Sequence, residues 1–264
     1  MTGLPVGLLN LSSWPPELSL RVLSHLNATD LCLASGVWQE LALDELLWHS
    51  LCRSNWPYAS IYQRKIASFA KLYLWLDEGS VTFNADPSLG MRYLVCKGIV
   101  DDSPQEVARF LHHSKVLKRS QVLAYLQDHQ QLIDPMVRLE NFRNLNLSKA
   151  LRQYFTHTMP APTSTLEDPY LQTLIQKFSC RFTECNPDLD LSPDAVYILC
   201  CSLIMLSVDL NSPHIKNKMS KREFIRNVRR ALHRIDDDLY GQLYDDVYLR
   251  GHIASLSDET SCRL

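Results

Sequence analysis

A marked excess of charge of one sign is missing. The 264 residues carry a formal net charge of −2, so nothing draws the whole chain toward nucleic acid or an anionic bilayer, and any such attraction must be local. Glycine is scarce, at eight residues, and alternating β-branched runs are few, which points away from sheets. No CxxC pair occurs among Cys32, Cys52, Cys96, Cys180, Cys185, Cys200, Cys201 and Cys262, and neighbours such as Cys200 and Cys201 point apart on a helix. Scattered thiols of this kind predict reduced core residues rather than structural zinc or a disulfide framework. No metal site, no cofactor and no nucleophile–base pair is expected.

No basic residue precedes Arg21, so the start lacks the charged region of a signal peptide. The longest apolar run, Ala195 to Val208, is interrupted by Ser202 and Ser207 and stopped by Asp209. That is too short to cross a bilayer and reads as a buried helix. A cytoplasmic protein is the expectation, in which the Asn-x-Ser/Thr triplets at Asn10, Asn27 and Asn146 carry no glycan.

What is present is helix. Pro15-Pro16-Glu17 opens one whose apolar positions Leu18, Val22 and Leu26 recur every fourth residue. Asn27 is placed to cap the next, with Asp30 in its first turn, and Leu31, Leu33, Val37, Trp38 and Leu41 are expected to continue it. Asp44-Glu45 starts a third with Leu46, Leu47, Trp48 and Leu51. Three short helices bury too little surface alone. Either a partner or the rest of the chain must cover Leu18, Leu26, Trp38 and Trp48. A connecting helix is expected near 61–76.

Further on, Ser103 and Pro104 open a helix with Glu106 three after the cap, followed by the stripe Val107, Phe110 and Leu111. Amphipathic stretches follow around 123–126 and 137–142, and short helices with short links suggest stacking rather than a simple bundle. Ser192 and Pro193 start the most informative helix. Asp194, Tyr197, Cys201, Ile204 and Met205 share one side of it, while Val196, Leu199, Leu203 and Leu206 occupy others. A helix apolar all round is either central in a core or keeps one side for a partner. The polar segment Asp209-Leu210-Asn211-Ser212-Pro213 would flank such a groove.

Two resemblances sharpen this reading. The stretch from Trp14 to Trp56 resembles an F-box: it has Pro15, Glu17 and Leu18 at the opening, Leu26, Asp30 and Leu31 at the turn, and Leu47, Trp48 and Cys52 at the close. The resemblance implies docking on the Skp adaptor of a cullin ubiquitin ligase through Pro15, Glu17, Leu18, Val22, Leu26, Leu31, Trp38, Leu47 and Trp48. The segment from Ser192 to Arg230 resembles the second signature motif of the Sec-seven domain, the ARF exchange-factor module, at Met205, Leu206, Asp209, Leu210, Pro213, Lys216, Lys218, Met219, Phe224 and Ile225. Further matches upstream include Ala150-Leu151-Arg152 and Cys185-Asn186-Pro187, so that likeness spans nearly all of 81–254.

The implied fold is all-α: a short trihelical F-box followed by a right-handed helical superhelix of Sec-seven type. The implied boundaries are 10–60 for the F-box, 61–80 for a connecting helix, 81–254 for the Sec-seven-type domain and 255–264 for a tail, with F-box and groove helix in independently packed units. The implied groove for the switch regions of an ARF-family GTPase is lined by Asp194, Tyr197, Cys201, Ile204 and Met205, then by Ser207, Asp209, Leu210, Asn211, Ser212, Pro213 and Met219. Ser207 and Asn211-Ser212 depart from the asparagine and His-Asn that family members usually carry.

The larger departure lies in the first motif. The family places a carboxylate there, in a tight Pro-Gly-Glu loop, to expel magnesium and nucleotide. Here the stretch from Tyr154 to Phe178 is longer and lacks that order, with Glu167 its only glutamate and Asp168 beside it. Glu167 is either that carboxylate or a solvated loop acid. Two functions stay open: an ARF guanine-nucleotide exchange factor bearing an F-box, and a non-catalytic adaptor presenting ARF for ubiquitination.

The basic run Lys216, Lys218, Lys221, Arg222, Arg226, Arg229, Arg230 and Arg234 is opposed only by Glu223. It reads as a solvated face or as a weak attraction for acidic lipid headgroups. Asp236-Asp237-Asp238 follows those charges at once, so nucleic acid is not an expected partner.

Overall fold

Side-chain caps set most helix starts in the computed structural model, which describes residues 11–158, 168–232 and 237–253. Among these residues every regular element is a helix. The chain parts into two compact units, one up to Gln121 and one from Val122.

The first unit begins with α1 (Pro16–Leu23), behind Pro15, and α2 (Ala28–Ala34), whose cap Asn27 accepts the Asp30 N–H at 2.9 Å. The expected continuation of α2 through Leu41 does not occur. Ser35 donates its hydroxyl to the Cys32 carbonyl at 2.6 Å and the chain turns through Gly36, so one-turn α3 (Gln39–Ala42) stands apart. Next comes α4 (Glu45–Asn55), capped by Asp44, which accepts the Leu46 N–H at 2.8 Å. Leu23, Leu31, Ala42, Leu47 and Trp48 form the core of these helices, and the Trp48 indole donates to the Ala42 carbonyl at 2.9 Å.

That core is closed from within the chain by α5 (Phe69–Ala85). Phe69, Ala70 and Tyr73 pack against it, with Tyr73 edge-on to both Trp48 and Trp56 at 5.5 and 5.3 Å. The Trp56 indole donates to the Ser80 hydroxyl at 2.9 Å, in a buried bond. The connecting helix therefore starts at Phe69 rather than near Ile61, because Ser68 supplies its cap; a single 3-10 turn, Ser60–Gln63, precedes it.

Asp86 ends α5 and caps α6 (Pro87–Cys96), accepting the Leu89 N–H at 3.0 Å. The two helices cross at backbone contact, since a Cβ on Gly90 would lie 2.3 Å from the Phe83 Cα. Next, α7 (Pro104–His113) is capped by Ser103 as expected. The Glu106 carboxylate does not return to the cap, however. It accepts hydrogen bonds from the Tyr58 and Ser60 hydroxyls, the latter at 2.8 Å, and pairs with Arg109 at 3.0 Å. The stretch between α4 and α5 is thus fastened to α7, and α8 (Arg119–Asp128) begins at the end of this unit.

The second unit continues with α9 (Ile133–Leu139), α10 (Leu147–Thr158), α11 (Pro169–Cys185), α12 (Pro193–Asn211), α13 (Lys221–Ala231) and α14 (Asp237–Arg250). Its core is aromatic around Phe178, whose ring lies 5.0 Å from Phe142, 5.4 Å from Tyr154 and 5.7 Å from Phe182. Through the middle runs α12, with Val196, Leu199, Leu203 and Leu206 buried and neighbours α11 and α14 on either side. It is long and apolar enough for a bilayer by composition, but those buried residues make it a core helix. The C-terminal end of α14 is gripped by Arg152 of α10, which pairs with the buried Asp246 and donates to the Gly251 carbonyl at 3.0 Å.

Candidate functional site

The start of α12 is fixed by Ser192, which accepts the Ala195 N–H at 3.1 Å, with Pro193 in the first turn. At 100° per residue, Asp194, Tyr197, Cys201, Ile204, Met205 and Val208 fall within one stripe. Asp194, Met205 and Val208 are exposed, Met205 by 60%, while Tyr197 and Cys201 are half-buried. Ile204 is nearly covered, at 7%. So the helix that is apolar all round keeps one ridge out of the core. Val208, not among the groove residues expected from the sequence, belongs to that ridge.

Beyond the ridge, the segment 212–219 is held by hydrogen bonds to α12 and α14 and within itself. The Asp209 carboxylate accepts the Met219 N–H at 2.7 Å, and Tyr244 donates to the Met219 carbonyl at 2.9 Å. Lys218 donates to the Asp209 and Ser212 carbonyls, and Asn211 to the Ser207 carbonyl at 2.7 Å. This leaves the loop ordered before any partner arrives, which lowers the entropy cost of binding. As a groove residue Ser207 is corrected: it is buried, donating to the Ile204 carbonyl at 2.9 Å. Pro213 and Asn211 are exposed, and Leu210, Ser212 and Met219 are half-buried.

Along the first turns of α12 lies a cavity of about 480 Å³, shared with α11 and lined by Gln172, Thr173, Gln176 and Cys180 opposite Pro193, Asp194 and Tyr197. Sequence reasoning missed the α11 wall. Its signal was the spacing of Gln172, Gln176 and Cys180 at every fourth residue. Burial pushes the Cys200 and Cys201 thiols upward, toward the protonated form. Among the described residues no cluster could hold a metal ion.

Glu167 lies outside the described residues. Its neighbour Asp168 caps α11, accepting the Tyr170 N–H at 2.9 Å.

In the first unit the residues ascribed to adaptor docking separate into two sets. Pro15, Glu17, Leu18 and Val22 are exposed, Leu18 by 53% and Val22 by 46%. Leu26 and Trp38 are half-buried. As contact residues Leu31, Leu47 and Trp48 are corrected, because they are buried in the core that supports the exposed ones. Leu33, Val37, Leu43 and Leu46 add further exposed apolar surface outside the docking set that the F-box resemblance implies.

The Sec7 domain family matches residues 74–250, and an F-box-like family matches residues 11–54. The chain belongs to the Sec7 domain family. F-box only protein 8 of Homo sapiens is 56% identical over 94% of this chain and 79% of its own length. Brefeldin A-inhibited guanine nucleotide-exchange protein 2 of Arabidopsis thaliana is 33% identical over 59% of this chain and 9% of its own length. A solved structure of ARF1-GDP bound to a Sec7 domain complexed with brefeldin A aligns at a TM-score of 0.58, with 22% identity, over 68% of this chain and 93% of that one. That last likeness is one of fold. The Sec7 match begins at residue 74, within α5, so the helix that closes the F-box core is also the first Sec7 helix.

Proposed function

We propose that this chain presents an ARF-family GTPase to a cullin ubiquitin ligase, holding the GTPase in the α12 groove and the Skp adaptor on the exposed face of α1. The observation that carries this is the pairing of two solvent-facing apolar surfaces, each on a rigid scaffold: Leu18 and Val22 over the Trp48 core, and Met205 and Val208 over the Leu199–Leu203 core. The protein works in the cytoplasm, and binding the GTPase gives it one route to membranes. It needs no cofactor, metal or nucleic acid.

Leu18→Asp and Met205→Asp test the two surfaces separately. Both positions are exposed, so each variant folds, and each buries an unpaired charge only when its partner binds. The expected loss is at least about a hundredfold in affinity for one partner and none for the other. Pull-downs with the adaptor, and with ARF loaded with GDP, with a GTP analogue or nucleotide-free, read both losses and the nucleotide preference. A folded Met205→Asp that retains ARF, or a folded Leu18→Asp that retains the adaptor, sinks the assignment.

A second reading, nucleotide exchange, is favoured by one observation. The Asp168 carboxylate is already engaged as the cap of α11, which takes it out of contention for the repelling role and leaves Glu167, outside the described residues, as the candidate. In this reading Glu167 repels the β-phosphate, and GDP release from ARF is accelerated by the wild type but not by Glu167→Lys. No acceleration by either leaves the adaptor alone.

A further inference from the structure

On α13 the charged and apolar residues occupy opposite faces. Phe224 and Val228 are buried in the core, while Arg222, Arg226 and Arg230 recur every fourth residue on the solvent side. Ser220 caps the helix and exchanges hydrogen bonds with Glu223, so that acid is turned to the cap. Two ion pairs hold α13 beside α14: Lys221 with Asp245 at 2.6 Å, and Arg229 with Asp237 at 2.8 Å. The pairing runs in opposite directions along the two helices. The residues just past Asp245 therefore lie beyond the start of α13. There Tyr248 and Leu249 are exposed by 66% and 79%, with the Tyr248 ring stacked on Tyr244 at 6.2 Å.

We infer that this face of the α13–α14 pair is a docking surface for an anionic lipid bilayer. The arginines do not converge on one point. From Arg222 to Arg230 they spread along about 12 Å of rigid helix, as suits a plane of charges better than a single phosphate. Between the arginines no exposed aromatic offers a base a place to stack, and Tyr248 lies only at the end of the stripe, which disfavours single-stranded nucleic acid. A tyrosine and a leucine at one end of a basic surface are the residue types that seat at headgroup level beside acidic lipid. The chain as a whole, at −2, supplies no general attraction, so the effect belongs to this stripe. It rests on no assumption about the GTPase.

The test uses the full chain without any GTPase, in co-sedimentation with vesicles of phosphatidylcholine alone or with about a third phosphatidylserine. Binding to the anionic vesicles is expected, weakening as salt is raised. Each arginine removed costs about fivefold in partitioning, so Arg222→Gln with Arg226→Gln loses on the order of thirtyfold. The matching double lysine variant keeps the charge and most of the binding. Leu249→Ser weakens binding without changing its salt dependence. Equal partitioning of the wild type onto both vesicles, or a double glutamine variant that binds like the wild type, overturns the inference. So does binding to an RNA or an acidic peptide at concentrations where the anionic vesicles are ignored. ARF pull-down in solution reads the α12 groove independently, so the two ideas fail separately.

Discussion

The two units solve the problem of a small core differently. The unit up to Gln121 ties separate segments together with polar bonds, a buried one from Trp56 to Ser80 and a half-buried one from Ser60 to Glu106, and leaves Leu18, Val22, Leu33 and Leu46 in solvent. The unit from Val122 relies on a continuous aromatic cluster about Phe178 and exposes one ridge of α12. In the first unit the short helices are closed over by the longer α5, whereas in the second the longer helices close over one another. Both arrangements end with apolar residues displayed on a stiff support.

Deleting a large core ring from each unit breaks the comparison most directly. Trp48→Ala and Phe178→Ala should each cost about 3–5 kcal/mol. Hydrogen exchange should show the first loosening 44–113 and the second 142–206. A uniform loss of protection from either variant would mean the units do not hold separate cores.

Glycine substitutions should differ in sign. Gly90→Ala places a methyl into the Phe83 backbone and should cost about 1–3 kcal/mol. Gly241→Ala meets only the flexible end of Lys221, nearest at 3.1 Å, and should stabilise by up to about 1 kcal/mol through helix propensity. Denaturant midpoints of the two variants decide it, and a shift in the same direction for both would contradict the packing described.

Much of this was legible in sequence because cap chemistry is local. Asn27, Asp44, Ser103 and Ser192 all cap where the residue pattern puts them. What failed were competitions settled at a distance. Nothing near Glu106 reveals that Tyr58 and Ser60 would draw it from its own helix start, some 46 to 48 residues away. Trp48 looked like a partner contact because its cover, Tyr73, arrives from beyond the F-box pattern. The family's groove helix could be found by its motif. Its opposite wall on α11 carries only a polar stripe, which any solvated helix face also shows.

Cap removal is a smaller effect. Ser220→Ala should cost about 1 kcal/mol because its capping box is reciprocal. Ser103→Ala should cost less, since Glu106 gives nothing back to that cap. Thermal midpoints in the opposite order would disprove the reciprocity.

Smallest is the acid response. Hydrogen bonding from Tyr58, against the cost of burial, holds Glu106 below the usual carboxylate range. Burial pushes Asp246 upward, but the Arg152 hydrogen bond and charge outweigh it and leave it lowered. A carboxylate depressed in the folded state stabilises fully above its unfolded pKa of about 4, and that stability is lost as pH falls through the folded value. Glu106→Gln and Asp246→Asn should therefore flatten the fall in unfolding midpoint below about pH 4. Unchanged curves would show that neither carboxylate titrates with folding.

The closing of the F-box core by α5 also has a consequence for biosynthesis. The ribosome completes Trp48 and Trp56 before it has made Tyr73 and Ser80, so the F-box is translated first but cannot be finished until α5 follows. At about 5–20 residues per second, the stretch from Trp56 to Ala85 takes roughly 1.5–6 s, during which two tryptophans wait without their partners. That interval is an opening for chaperones and for proteases. Ribosome-bound chains ending shortly after Trp56 clears the exit should be cut readily within 16–55, and chains in which Ala85 has also cleared it should resist. Equal resistance at both lengths would mean that the short helices hold their fold without waiting for α5.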